Sequence, residues 1–519
     1  MTHFAKHIVG FVLTTVLVVS ISTPAAAQDA FNPDMLPAPD GSATFQIGED
    51  GANIHYSMLA ASRNDGTSQR TCETISDPEC SSSKADYIGA DAILKVCATS
   101  SDNNCVVRLE MAGEDGVFHQ ASFVRNTIGM NFPANASRGF MGATTPSLWS
   151  LPQVPSASGT TDYAVIVRAD TRMDWNDGRF KTYGFIASVR PYRAQTGNYE
   201  SPYQFTTKQN FKGEEGVGIG VGGHGYECAW SEEGTCGVLQ DFAPNTRVKL
   251  TVRVTSEVGG WFNGRIKDPV ISVTQPRSGV NEISVEAAPA VVQRMLYQTS
   301  LDSLTPTEKS WAGGAGTLET GFVQWARASD AQAFRFLNYF RNKVQDKTVG
   351  VNTFWNFASS GSQSSNSCLG DTSKVLGIVT TNSMAYNGGA PQFRNGFLNY
   401  EVAGLHYQPD GSTKVQGSYD LVIRSEVARC LYGFSRAPLS ATISVVGEGD
   451  KSIATTVVSE KNGWLKLAAY GFTFSKKTIR AKITKAKPTR IACVSVSDET
   501  KVRNLSLIHI SEPTRLLSI

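Results

Sequence analysis

This 519-residue chain is short of histidine and of net charge, and each shortage closes off a class of function. Lysine and arginine number 48 against 46 aspartates and glutamates, a formal charge of +2. A nucleic-acid binder gathers a strong basic excess on one face, so that class is set aside. Of seven histidines, His3 and His7 fall in the first segment and His509 in the last, which leaves His55, His119, His224 and His406. These are scattered, with no H-E-x-x-H and no i, i+4 pair among them, so a helical zinc site has no sequence support. No G-x-S-x-G occurs, which removes the common hydrolase elbow. A Ser, His and Asp convergence in space needs no fixed order and stays open. After residue 27 no apolar run is long enough to cross a bilayer. Low charge (18%) with 47 glycines suits β-rich globular structure over long helices or disorder, and the length calls for more than one domain.

What the sequence does contain begins at the N-terminus. Lys6 and its neighbouring histidines make a basic start, and Ile8 to Ile21 is an unbroken apolar or small stretch. Ser22-Thr23-Pro24 breaks it, and Ala25-Ala26-Ala27 offers the small-x-small pattern that a signal peptidase accepts. The expectation is a cleavable signal peptide at 1–27 and an extracellular or envelope-associated mature protein. Gln28 at the new N-terminus excludes a lipid-anchored cysteine.

Cysteine usage agrees with export. Cys72/Cys80, Cys97/Cys105 and Cys228/Cys236 share one spacing, seven residues between partners, and each intervening segment is polar and turn-rich. A short loop of that length brings two Cα atoms within bridging distance. Loop entropy assigns about 2–3 kcal/mol to each bridge before strain. Zinc sites use shorter C-x₂₋₄-C pairs, so disulfides are the expectation.

Leu505 to Arg515 reads LSLIHISEPTR, and resembles residue for residue one reading frame of the transposase adaptor used in sequencing libraries. Residues 505–519 are therefore expected to be adaptor-derived, to contribute nothing coherent to the fold, and to replace the true C-terminus. That reading accounts for the odd cysteine among nine. Cys368 and Cys430 are expected to pair, leaving Cys493 without a partner in this chain.

Along the chain, Ile88 to Cys97, Cys105 to Met111, Tyr163 to Arg168 and Gly184 to Val189 read as strands. Val248, Leu250, Val252 and Val254 alternate with Lys249, Thr251 and Arg253, the period of a strand with one buried face. Ile479, Ala481 and Ile483 repeat the pattern. Asn176-Asp177-Gly178, Asp410-Gly411 and Asn462-Gly463 mark hairpin turns. Ala333, Phe336, Leu337, Phe340 and Val344 fall at helical spacing after Ser329-Asp330 as N-cap candidates, which predicts a helix over 330–347, the longest of the mature chain. Val291 to Tyr297 is expected to add a shorter one.

The fold expected is mainly β: tandem β-sandwich-like domains with a short helical insert between them. The division is a disulfide-containing β domain at 28–155, a β domain at 156–284, a helical segment at 285–348 and a C-terminal β domain at 349–504.

Trp261-Phe262-Asn263-Gly264-Arg265-Ile266-Lys267-Asp268-Pro269, Tyr419 to Ser425, Ala428 to Tyr432 and Asn462-Gly463-Trp464-Leu465 together resemble recurring segments of large secreted β-rich proteins of Actinobacteria. The resemblance covers most of the mature chain. It implies no activity, because none is established for that family, and it implies a basic tail with a further cysteine beyond Cys493.

Three other patterns are open to chemical readings. Gly216 to Gly225 lacks the helix that a phosphate loop requires and runs into Cys228, so a strand is the better account. Asp174-x-Asn176-Asp177-Gly178 departs from a calcium loop at the glycine and has no closing glutamate. The basic run Lys476 to Arg490 can touch anionic wall polymers, or form a charged outer face or edge strand. No catalytic, cofactor-binding or metal-ligating residue is assigned. The leading expectation is a non-catalytic secreted or wall-associated protein acting in binding, adhesion or envelope structure, with glycans or anionic wall polymers as partners. The alternative is a secreted carbohydrate-active or other hydrolytic enzyme. A carboxylate pair about 5–10 Å apart in a cleft would favour the enzyme. An exposed row of Trp and Tyr would favour glycan binding.

Overall fold

The computed structural model describes residues 41–49, 55–63, 69–83, 85–199, 204–209, 215–220, 228–255, 257–311, 322–360, 366–434, 439–447, 455–474, 477–485, 490–495 and 498–506. The expected signal peptide and His224 lie outside them.

Alternation decides which faces meet. Val248, Leu250, Val252 and Val254 are all buried on the Arg247–Thr255 strand, and that strand pairs with Cys105–Ala112 on one side and Val280–Arg294 on the other. The second half of Gly260–Arg277 completes this sheet. It packs on a much longer one. The long sheet runs in order through Met58–Ser62, Tyr87–Ile93, Asp162–Asp174, Phe180–Thr196, Gly350–Ser360, the first half of Gly260–Arg277, Val375–Thr381, Gln416–Arg424, Trp464–Thr473 and Thr455–Lys461. Neighbours are antiparallel except Gly260–Arg277 with Val375–Thr381. Leu109, Val165, Val189, Leu250, Ile283 and Trp355 fill the space between the two sheets, which makes a β-sandwich.

The far end of the long sheet is covered on its other face. There, Phe397–Ala403, Lys477–Lys485 and Leu439–Gly447 form a third sheet. A three-stranded sheet of Leu296–Ser300, Ser42–Gly48 and Phe322–Arg327, with the Ala331–Phe340 helix, closes the same core. Phe45, Phe336, Tyr400, Leu421, Leu467 and Ile479 meet inside it. Val375–Thr381 serves both cores, Ile378 facing one and Val379 the other. That is why its sequence is a continuous apolar run, the pattern of a strand buried on both faces.

Gly260–Arg277 leaves one sheet for the other at Lys267-Asp268, where the pairing with Val280–Arg294 slips and Asp268 takes φ 56°. Just before the bend a Cβ on Gly264 would sit 2.2 Å from the Asn356 carbonyl oxygen, so only glycine permits the approach of Gly350–Ser360.

Sequence expectations meet this architecture unevenly. Asn462 and Gly463 both take positive φ between Thr455–Lys461 and Trp464–Thr473, as a type I′ hairpin requires. Asn176-Asp177-Gly178 turns Asp162–Asp174 into Phe180–Thr196. Asp410-Gly411 is a tight turn flanked by single bridges rather than a long hairpin. Glu215–Gly220 is a strand paired with Gln204–Gln209. Val291 to Tyr297 is not a helix. It ends Val280–Arg294 and begins Leu296–Ser300, because pairing with Gly350–Ser360 and Ser42–Gly48 overrides an ambiguous local pattern.

The Ala331–Phe340 helix is the longest α-helix among the described residues, and Phe336, Leu337 and Phe340 are fully buried. It stops short of Lys347 because Gln345 and Asp346 take positive φ, and the Asp346 carboxylate accepts from the His406 backbone N–H. Asp330 stands at the N-cap position without a side-chain cap bond.

Pairing crosses the boundaries expected at 155 and 284: Asp162–Asp174 pairs with Tyr87–Ile93, and Gly260–Arg277 pairs with Val375–Thr381. Asp498–Ser506 pairs with Arg490–Ser495, so the last strand takes in Leu505 and Ser506 from the expected adaptor segment. All four expected disulfides are closed, with Cα separations of 6.0, 5.1, 5.7 and 5.9 Å for Cys72–Cys80, Cys97–Cys105, Cys228–Cys236 and Cys368–Cys430.

Candidate functional site

Each described histidine has a partner close by. His55 Nε2 lies 3.1 Å from Ser231 Oγ, but both residues are buried. His406 Nδ1 is 2.5 Å from Asp346 Oδ2, and His119 lies 3.8 Å from Asp115. Among the described residues no group of three or more His, Cys, Asp or Glu is placed to hold a metal ion.

Two acid pairs stand out. Asp91 and Asp170 are directly opposed across Tyr87–Ile93 and Asp162–Asp174. Burial pushes the Asp91 carboxyl up to about 6; Arg168 opposes this, while the charge of Asp170 and its hydrogen bond add to it. Two carboxyls in direct contact leave no room between them for a glycosidic bond and a water, so this is not the separated pair of a glycosidase.

The second pair sits at the bend. Asp420 is fully buried; its Oδ1 accepts from the Tyr470 hydroxyl, and its Oδ2 from the Asp268 backbone N–H at 3.1 Å. Burial raises its pKa to about 6, against the pull of Lys466 and the Tyr470 bond. A groove of about 500 Å³ runs beside it, lined by Lys267, Tyr470, Gln416, Asn245, Pro289 and Val291 among others. Asp420 spends both oxygens inside the protein, so it offers no free acid to that groove. A second cavity of about 590 Å³ has Lys95 as its one ionisable lining residue, and Asp102 lies 3.5 Å from it.

The third feature is a face. Lys477–Lys485 lies between Phe397–Ala403 and Leu439–Gly447, so the basic run is not an edge strand; its outer face is the part that carries charge. Antiparallel register puts Asn399 opposite Arg480, Ser444 opposite Arg480, Thr442 opposite Lys482, and Arg394 opposite Phe397. Period two then gathers Arg394, Arg480 and Lys482 on the side away from the core, while Ile479, Ala481 and Ile483 are buried. Phe397 lies among them, its ring centre 4.1 Å from the Arg480 guanidinium carbon and 5.6 Å from Lys482 Nζ. No carboxylate of the described residues forms an ion pair with any of the three. The amides and hydroxyls of Gln392, Asn399, Thr442, Ser444 and Thr478 share the face, with Glu401 as its single acid.

Sequence reasoning found Arg480 and Lys482 but not Arg394 or Phe397. The overlooked signal was Asn395-Gly396, both at positive φ, a hairpin turn that folds Arg394 back beside Phe397. The aromatic row that would mark a glycan platform is absent among the described residues: the exposed aromatics Phe123 and Tyr183 stand apart on different strands. No described helix is long and apolar enough to cross a membrane. Comparison with protein-family models, curated proteins and solved structures gives no match.

Proposed function

We propose that this is an exported, non-catalytic envelope protein that binds an anionic wall polymer through the outer face of the Phe397–Ala403, Lys477–Lys485 and Leu439–Gly447 sheet. One observation carries the reading. Arg394, Arg480 and Lys482, none of them ion-paired to a carboxylate of the described residues, gather beside the Phe397 ring. The other polar groups of this face are hydroxyls and amides with Glu401 as the single acid, and the face also exposes Val446. Such a face attracts repeated anionic groups by charge and offers hydrogen bonds to the units between them. The leader-like first 27 residues and the four disulfides fit an oxidising, extracellular setting. The resemblance to secreted actinobacterial proteins is in keeping with it.

The test is binding to immobilised poly(glycerol phosphate) across a salt series, with a neutral glucan as control. At about 1 kcal/mol for each cation near an anionic surface, the triple change Arg394→Gln, Arg480→Gln and Lys482→Gln should weaken binding roughly a hundredfold. Binding of the native protein should fall steeply with salt. Equal binding by the triple variant, or equal affinity for the neutral glucan, would overturn the proposal.

A further inference from the structure

We propose that Lys466 and Asp268 are joined in the mature protein by a side-chain amide bond, formed by the fold itself. The two residues are 198 apart in sequence, yet Lys466 Nζ contacts Asp268 Oδ1. Around that contact stands what a condensation needs. Asp420 Oδ1 lies 3.7 Å from the same nitrogen, on a side chain only 1% exposed. Arg247 Nη1 donates to Asp268 Oδ2 at 3.0 Å, and Glu286 balances the guanidinium at 3.1 Å. Tyr470 donates to Asp420, and the Asp268 N–H bonds Asp420 Oδ2, which fixes the three carboxyl and amine groups relative to one another.

The step balances without any co-reactant. The Lys466 ammonium gives a proton to Asp420, and the amine attacks Asp268 Cγ. Arg247 holds Oδ2 as negative charge gathers on it, the role of an oxyanion donor. The Cγ–Oδ1 bond then breaks. Two of the three ammonium protons leave with Oδ1 as water, relayed by Asp420, and the third stays on the new amide. Ammonium and carboxylate become amide and one water. Asp268 starts as the carboxylate: burial pushes its pKa up, but Lys466 and Arg247 together hold it down. A relay acid whose own pKa is near neutrality passes protons in both directions. Fixed proximity replaces the concentration that makes such a condensation unfavourable in water. Asp268 sits at the rim with its side chain 49% exposed, which gives the water an exit.

Other lysines make the contrast. Lys343 meets Glu308 at 2.8 Å between the Tyr297 and Tyr339 rings, and among the described residues no second carboxylate pairs with it to relay a proton. Lys374 faces both Asp371 and Glu426, but all three side chains are 40% exposed or more.

Mass spectrometry of the full secreted protein, reduced, alkylated and digested with trypsin, decides the matter. The expected product is a branched peptide pair carrying Lys466 and Asp268, lighter than the sum of its parts by one water. Lys466→Arg should abolish it. Asp268→Asn should still give the linked pair at the same mass, because ammonia leaves in place of water. Asp420→Ala keeps both partners but should cut the linked fraction to roughly a tenth or less, within the usual contribution of a general acid–base. An unmodified Lys466 peptide from native protein whose four disulfides are intact would overturn the proposal. Full linkage in Asp420→Ala would overturn the relay.

Discussion

Replacing Glu49 by alanine isolates a single buried charge. Arg265 is completely buried, on the strand that passes between the two cores. Its Nε donates to Glu49 Oε2 at 2.8 Å, Nη2 lies 2.7 Å from Oε1, and Nη1 donates to the Thr381 carbonyl at 3.0 Å. The guanidinium also lies 4.4 Å from the Tyr386 ring centre. Removing Glu49 leaves the ring and the carbonyls but no counter-charge, and an uncompensated buried cation costs about 3–5 kcal/mol. The double change Glu49→Leu with Arg265→Met removes both charges and should be much milder, since apolar replacement of a buried pair is often near neutral. The assay is guanidinium unfolding with disulfides intact, followed by tryptophan fluorescence, on Glu49→Ala and on a double-mutant cycle whose singles are Glu49→Leu and Arg265→Met. The expected pattern is a large loss for Glu49→Ala and a large coupling energy. If Glu49→Ala costs under about 1 kcal/mol, or the double change costs the sum of the singles, the pair is not the compensated buried charge described.

Two further outcomes follow from the same geometry. The folded pKa of Asp91, about 6, lies above the ordinary 3.8 of an aspartate, so the native state holds a proton that the unfolded chain releases. That contribution is full below the unfolded value and is lost as pH rises through the folded one. Stability relative to Asp91→Asn should therefore fall by on the order of 2 kcal/mol between about pH 4 and pH 6; a flat difference across urea midpoints in that window contradicts it. Loop entropy ranks the disulfides: Cys368–Cys430 closes a separation of 62 residues and the three short bridges 8 each, which gives about 4 against about 2.5 kcal/mol. Calorimetry should show the paired Cys368→Ser and Cys430→Ser variant losing more thermal stability than any short-bridge variant.

The legible parts of this fold were the local ones. Cysteine spacing, the Asn462-Gly463 turn, the alternating Val248 to Val254 and the aromatic stripe of Phe336, Leu337 and Phe340 each depend on residues near one another in the chain. What the sequence hid is non-local. Nothing near Asp162 announces that its strand will join Tyr87–Ile93, and nothing near Gly260 announces a parallel partner more than a hundred residues away. Val291 to Tyr297 was ambiguous between helix and strand, and only pairing with Gly350–Ser360 and Ser42–Gly48 resolves it. The acid cluster was hidden for the same reason. Asp268, Asp420 and Lys466 sit on three strands, and each alone reads as an ordinary surface charge.

The strand Trp464–Thr473 is where binding and bonding meet. Leu465 and Leu467 point into the core beneath the basic sheet, while Lys466 turns the other way, toward Asp268. Force applied at the proposed polymer-binding face therefore reaches this strand through side-chain packing. Without a covalent tie the load would pass across Gln416–Arg424 and Val375–Thr381, hydrogen-bonded pairs that can peel apart one after another. An amide between Lys466 and Asp268 bypasses both strands and ends on the Gly260–Arg277 strand, which belongs to two sheets. The difference is measurable as length. Of the 198 residues between the partners, the Cys368–Cys430 bridge already withholds 62, so 136 more become available when the amide is absent. At about 3.3–3.6 Å per extended residue, Lys466→Arg pulled by its ends should reach roughly 450–490 Å further than the native chain. Equal final lengths for the two proteins would mean that the native chain carries no such tie, however close the side chains stand.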